Sequence, residues 1–118
     1  MITAELRDNC VEAAVFGELT LADFRQFEAQ VEAAIATGAP LRALVDLREM
    51  NGLTLDAAIE DYRFARRYKN ADGRIAVLTN NDLDSIGAWL EQSLIDAELR
   101  LFDDEIMARA WLAGETVE

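Results

Sequence analysis

The sequence of 118 residues contains no histidine and a single cysteine, Cys10. Histidine is the commonest general base, so its absence excludes Ser-His-Asp and Cys-His catalytic sites. A lone cysteine cannot form an internal disulfide, which favours a reducing, cytoplasmic location. Cys10 has no basic sequence neighbour other than Arg7, and we expect it to be a buried small apolar residue and not a nucleophile.

Long apolar runs and excess basic charge are also missing. No apolar stretch approaches the roughly 18 residues of a membrane span, and no export signal is recognisable at the N-terminus. The 11 basic residues are outnumbered by 23 acidic residues, which gives a net charge of −12. This field repels nucleic acid, so no nucleic-acid partner is expected. Since no P-loop, dinucleotide fingerprint or EF-hand loop is present, we expect no cofactor, no metal and no enzymatic activity.

The apolar pattern predicts one domain, residues 1–118, with element order ββαβαβαβα. Two strands, 2–6 and 10–16, flank a turn at Asp8-Asn9, and Gly17 ends the second strand. Capping residues mark the helix starts and glycines mark some helix ends. The remaining strands are predicted at 41–47, 74–79 and 97–102. The first helix runs from Thr20 to Gly38, and the second runs from Thr54 to about 69. The third helix is capped by 80, 81 or 82 and has apolar positions 83, 86, 90 and 94, and the last is capped by Asp103 or Asp104 and ends near Gly114.

Strands that alternate with helices of ten or more residues imply parallel pairing through right-handed crossovers. The leading hairpin adds an antiparallel edge. The predicted fold is therefore α/β, a mixed five-stranded sheet with about four helices, and Trp111 in the last helix is expected to cover the core.

Four segments, which span nearly the whole chain, carry a resemblance to a known family: GELTLADFRQFEAQVEAAI at 17–35, LRALVDLREMNGLTLDAAIED at 41–61, RIAVLTN at 74–80 and AELRLFDDEIMARAWL at 97–112. With these segments the chain resembles the SpoIIAA-like family of small bacterial domains, which are related in fold to STAS and CRAL-TRIO lipid-binding domains. It implies a STAS-like fold and a role in small-ligand binding or membrane association. It implies no established reaction.

In STAS-like domains that act as phosphorylation switches, the turn after this strand carries a serine at a helix N-terminus, where free N–H groups favour phosphate. Here Asn51 precedes Gly52 and has no hydroxyl. Thr54 is the one hydroxyl near the turn, and we expect it to cap the second helix. One functional alternative is therefore an anti-anti-sigma-type interaction module that lacks the phosphorylatable serine.

Ligands of open α/β sheets sit at the carboxyl ends of parallel strands. Asp46, Arg48, Asn51 and Thr54 are the candidates there. The plainer interpretation is a local pair, in which Asp46 accepts nearby backbone N–H groups and binds a solvated Arg48.

The second helix concentrates aromatic and basic residues. A helical wheel that directs Leu55 and Ile59 to the sheet, together with positions 58, 62 and 65, places Phe64 and Tyr68 on the opposite, outer face. Four of the chain's 11 basic residues surround them: Arg63, Arg66, Arg67 and Lys69. Such a face suits an anionic amphiphile, a lipid interface or the acidic patch of a partner. Alternatively, a loop or a dimer mate covers Phe64.

Trp89 lies at the edge of the apolar stripe of the predicted third helix. The second and third helices could therefore form the walls of an apolar pocket. The plainer interpretation is that such residues make core or dimer contacts. We predict a cytoplasmic homodimer that binds an apolar or amphiphilic, lipid-like ligand without catalysis. A variant of this prediction places the protein at the inner face of the membrane as a peripheral protein. An apolar cavity beneath Phe64, Tyr68 and Trp89 would favour this function over the interaction module.

Overall fold

The structure is a computed structural model that describes residues 1–67, 72–79 and 98–114. These ranges contain five strands and three helices: β1 (Ile2–Arg7), β2 (Cys10–Leu19), α1 (Leu21–Ala36), β3 (Leu41–Leu53), α2 (Leu55–Arg67), β4 (Gly73–Leu78), β5 (Glu98–Phe102) and α3 (Glu105–Leu112). The helix predicted over residues 83–94 lies outside the described residues. The expected helix starts at Thr20, Thr54 and Asp104 are confirmed by hydrogen bonds from backbone N–H groups to their side chains.

The five strands form one sheet in chain order, β1-β2-β3-β4-β5. β1 pairs antiparallel with β2, and every later pair is parallel, which confirms the predicted mixed sheet. The hairpin turns at Asp8 and Asn9, with φ of 51° and 64°. Both values lie in the left-handed region that a tight two-residue hairpin requires and that Asp and Asn tolerate.

Alternation along the strands divides the core between the two faces of the sheet. We call them the α1–α2 face and the α3 face. Val45 and Val77 belong to the large cluster under α1 and α2, whereas Leu44 and Leu78 pack against α3. Trp111 is buried in the α3 cluster, 5.6 Å from the ring of Phe102, which confirms its predicted place.

Two predicted strand ends are wrong. β2 continues through Gly17 to Leu19, and β3 continues through Asn51 and Gly52 to Leu53. The extensions pair with each other, residues 16–19 with 49–53, across two register shifts. Gly17 has a φ of 73° beside the second shift, so the glycine bends the strand and does not end it. Asn51 and Gly52 are therefore strand residues, and the turn predicted at them is not formed.

The predicted orientation of the second helix is also wrong. Ala57 and Phe64 are buried, at 0% and 4% exposure, whereas Leu55 and Ile59 are exposed at 78% and 46%. The buried face is nearly opposite to the predicted stripe. The cause is the aromatic pair on α1, Phe24 and Phe27, because Phe64 packs against both and its burial outweighs the exposure of two aliphatic side chains.

Candidate functional site

A cavity of about 90 Å³ lies between the α1–α2 face of the sheet and its two helices. The floor includes Ala13 from β2, Val45 from β3 and Val77 from β4. Every lining side chain among the described residues is apolar except that of Asp61. Roughly 10–15 Å³ suffices for one water molecule, but water also needs polar partners, and this lining offers few. The space is therefore suited to an apolar group.

Three phenylalanines form the roof of the cavity. Phe24 and Phe64 meet edge to face, with ring centroids 5.7 Å apart at 87°, and Phe27 lies 6.0 Å from each of them. Such offset contacts add about 0.5–1.5 kcal/mol per pair beyond the burial of area. The roof thus ties α1 to α2 and fixes the position of the cavity.

Asp61 is the one titratable residue of the described lining. It lies three positions before Phe64 on α2, so both side chains project from the same side of the helix. Burial, with the nearby charge of Glu28 as the smaller cause, raises the pKa of Asp61 to about 6. This carboxyl therefore changes its charge in the range just below neutral pH.

Glu28 is a second carboxyl at the same place. It lies on α1 between Phe24 and Val31, both of which line the cavity, and is only 7% exposed. Its Oε2 lies 3.5 Å from Nη1 of Arg67, while its buried Oε1 has no hydrogen-bond partner in the described part of the chain. Burial, followed by the charge of Glu60, raises the pKa of Glu28, and Arg67 opposes that rise.

The strand-end candidates do not converge on this cavity. The carboxylate of Asp46 accepts hydrogen bonds from the backbone N–H and Nε of Arg48, both at 3.0 Å, and from Nη2 at 2.8 Å. The hydrogen bond from Arg48 is the main reason that the pKa of Asp46 is lowered. The pair lies toward the α3 face, with Glu105 3.5 Å from the guanidinium. Its geometry is that of the local pair predicted as the plainer interpretation.

The other turn candidates have structural roles or exposed positions. Thr54 Oγ1 accepts the N–H of Ala57 at 3.3 Å and donates to Asp56, so its hydroxyl is engaged at the start of α2. Asn51 is exposed in β3. Neither residue lines the cavity.

The candidates on the second helix separate into two groups. Phe64 faces the cavity, while Arg63 and Arg66 are exposed on the outer side. Arg67 binds across to α1, 3.5 Å from Glu28 and 3.7 Å from Glu32. The predicted positions Tyr68, Lys69 and Trp89 lie outside the described residues.

Sequence reasoning missed Asp61 and Glu28. The signal was present in the spacing Ala57, Asp61, Phe64, which follows one helical face. It is hidden because Leu55 and Ile59 are more apolar and form a competing stripe on the same helix. A carboxyl on a buried stripe, three positions from a phenylalanine, is the pattern that identifies a site of this kind.

Comparisons with known proteins agree with this architecture. The family model described as SpoIIAA-like matches residues 10–113. A similar solved structure is that of an uncharacterized protein from the DUF3478 family with a SpoIIAA-like fold, from Shewanella loihica PV-4. Its TM-score is 0.74 at 25% sequence identity, over 95% of this chain and 92% of that one. No curated protein shows significant similarity. No helix in the described ranges is long and apolar enough to cross a membrane.

Proposed function

The chain belongs to the SpoIIAA-like family, and from that premise we propose that it is a non-enzymatic domain that binds a small apolar or amphiphilic ligand in the cavity under α1 and α2. The cavity itself carries the proposal. It combines an apolar lining, an aromatic roof and one carboxyl, which is the composition expected of a small-molecule site.

The size of the cavity limits the ligand. About 90 Å³ is less than the roughly 150 Å³ of an engineered apolar cavity that binds benzene. A short alkyl chain is therefore a better match than a whole lipid tail. A ligand that buries on the order of 100 Å² of apolar surface gains about 2.5 kcal/mol, so a polar group must supply further affinity.

Two neighbouring alanines provide the test. Ala13 lines the cavity, whereas Ala14, the next residue of β2, faces the opposite side of the sheet. Pentanol titrated into the wild-type protein should perturb the NMR signals of residues around the cavity. Ala13→Leu should fill the space and abolish these changes, and Ala14→Leu should leave them intact. Pentanol binding that survives Ala13→Leu in a folded protein, or that is absent from the wild type, would contradict the proposal.

Contact with an anionic membrane surface is a second part of the proposal. The residues proposed to make this contact differ from those that the sequence predicts. Phe64 is buried, so it cannot serve as the surface anchor. Leu55 and Ile59 are exposed, and their spacing from Arg63 and Arg66 places all four on the outer face of α2. Apolar residues beside arginines suit the interface of a membrane.

A further inference from the structure

We propose that the ligand of this cavity carries a cationic ammonium head, received by Asp61 and by the buried free oxygen of Glu28. This inference rests on the proposed function, because it assigns the head group of a molecule whose alkyl part occupies the apolar cavity. Anionic amphiphiles such as fatty acids are excluded by the same arrangement.

The first observation is the unsatisfied oxygen. Glu28 is nine-tenths buried, and its Oε1 has no hydrogen-bond partner among the residues that the structure describes. A buried carboxylate oxygen without a donor costs free energy that a protein normally avoids. Arg67 approaches the other oxygen, Oε2, at 3.5 Å. A donor from a ligand would satisfy Oε1.

The second observation is the position of Asp61. It is the carboxyl that lines the cavity, and Glu28 is close enough for the two charges to influence each other. Two adjacent carboxylates repel, and a cation placed with them removes that repulsion. An ammonium group offers three N–H donors, enough to serve both carboxylates. A hydroxyl offers one donor, and a carboxylate offers none.

The charge of the whole cluster favours the same ligand class. The groups that act on this pair from α1 and α2 are two acids, Glu32 and Glu60, and two bases, Arg25 and Arg67, so their charges balance. The excess of acid in the cluster is therefore that of Glu28 and Asp61 themselves. The local field is therefore negative, in a chain whose net charge is −12. Binding of a cation relieves this field, and binding of an anion would intensify it.

Three probes of equal chain length separate the possibilities: pentylammonium, pentanol and pentanoate. Isothermal titration at pH 7.5 should show pentylammonium binding at least about tenfold tighter than pentanol, with pentanoate weakest. Methylammonium, which has the head without the chain, should bind far more weakly than pentylammonium. This control separates cavity binding from general attraction of cations to an acidic protein.

Asp61→Asn removes the charge with little change in shape. Pentylammonium should then lose about tenfold or more in affinity, and pentanol should keep its affinity within about twofold. Glu60→Gln, one position earlier on α2, removes the same unit of charge from a residue outside the cavity lining, and should lower the affinity for pentylammonium much less.

In the wild type, lowering the pH from 7.5 to 5 should selectively weaken the binding of pentylammonium as the carboxyls take up protons.

The outcomes distinguish this inference from the proposed function. Pentanol binding with no preference for pentylammonium, or a preference for pentanoate, would overturn the ammonium assignment and leave the cavity as an apolar binding site. Equal losses in Asp61→Asn and Glu60→Gln would also overturn it, since they would show only the effect of net charge. If none of the three probes binds, the proposed function falls and the assignment falls with it.

Discussion

Replacement of Asp61 by asparagine should make the protein more stable at neutral pH. The folded state raises the pKa of this carboxyl from 3.8 to about 6, through burial and then the charge of Glu28. The native state therefore binds the proton more tightly than the unfolded state does. For a group of this kind, the free energy of unfolding rises as the pH falls from about 6 to about 4, and it is lowest above both pKa values.

The size of the effect follows from the shift. About 2 pKa units correspond to about 3 kcal/mol at 1.36 kcal/mol per unit, between the ordinary pKa of 3.8 and the folded value of about 6. Asp61 is only partly buried, so solvent screening lowers this figure. The asparagine amide must also find hydrogen bonds in place of water. We therefore expect Asp61→Asn to gain about 1–2 kcal/mol at pH 7.5 and close to nothing at pH 4.

Urea unfolding followed by circular dichroism at pH 4, 5, 6 and 7.5 measures the free energy of unfolding of both proteins. In thermal unfolding at pH 7.5, the melting temperature should rise by about 3–5 °C for each kcal/mol gained. Asp46, whose pKa is lowered by the Arg48 hydrogen bond, does not disturb the comparison, because its contribution is lost only below the ordinary Asp range. Glu60→Gln serves as the matched control. Parallel pH profiles for wild type and Asp61→Asn, or a destabilised Asp61→Asn at pH 7.5, would refute the reasoning.

Three further predictions concern other parts of the fold. Gly73→Ala should cost about 3 kcal/mol or more in urea unfolding, because a Cβ there would lie 1.9 Å from the carbonyl oxygen of Leu41. Incubation with serine kinases should leave the start of α2 unphosphorylated in peptide mapping, and Thr54→Ala should cost about 1 kcal/mol by removing the cap. Low-salt flotation with anionic vesicles should carry the wild type but not the Arg63→Glu/Arg66→Glu variant, since each basic residue contributes about 1 kcal/mol at such a surface.

Two of these predictions have a matched control variant. Gly114 also has a positive φ, 87°, but a Cβ there meets nothing within 4 Å, so Gly114→Ala should cost only about 1–2 kcal/mol. Equal losses at the two glycines would contradict the role assigned to close approach. Stoichiometric phosphate on Thr54 would contradict the second prediction. For flotation, Arg7→Glu/Arg100→Glu makes the same charge change elsewhere, and identical behaviour of the two double variants would argue against the outer face of α2.

The element order and the helix starts were predictable because they depend on local signals. Thr20 and Asp104 are caps whose side chains accept nearby backbone N–H groups, and the tight turn at Asp8 and Asn9 needs residues that tolerate positive φ. The extension of β3 was not predictable in this way. Asn51 has a strong turn preference, but the residues on both sides of it, Met50 and Gly52, pair with β2, which no local pattern reports.

The face of α2 was mispredicted for a related reason. Leu55, Ile59 and Phe64 are all apolar, and the sequence alone does not say which of them meets an apolar partner. Phe24 and Phe27, on a different helix, decide the question by packing with Phe64. Asp61 then follows into the cavity as a consequence of the same rotation. The site is thus a tertiary property, whereas the element order is largely a local one.

The paired extensions of β2 and β3 have a consequence for the exchange of ligand. In the described part of the chain, β4 pairs with β3 only as far as Asp46, and β2 is bonded to the N-terminal residues only as far as Phe16, so residues 17–19 and 50–53 form a two-stranded ribbon. Leu19 and Met50 of this ribbon line the cavity. A two-stranded segment opens at a lower free energy than the centre of a five-stranded sheet. Fraying of the ribbon would therefore uncover one end of the cavity while the rest stays folded, and amide hydrogen exchange should be fastest near Glu18 and slowest near Ala43. The proposed ligand would then enter and leave on the timescale of this local opening, without waiting for global unfolding.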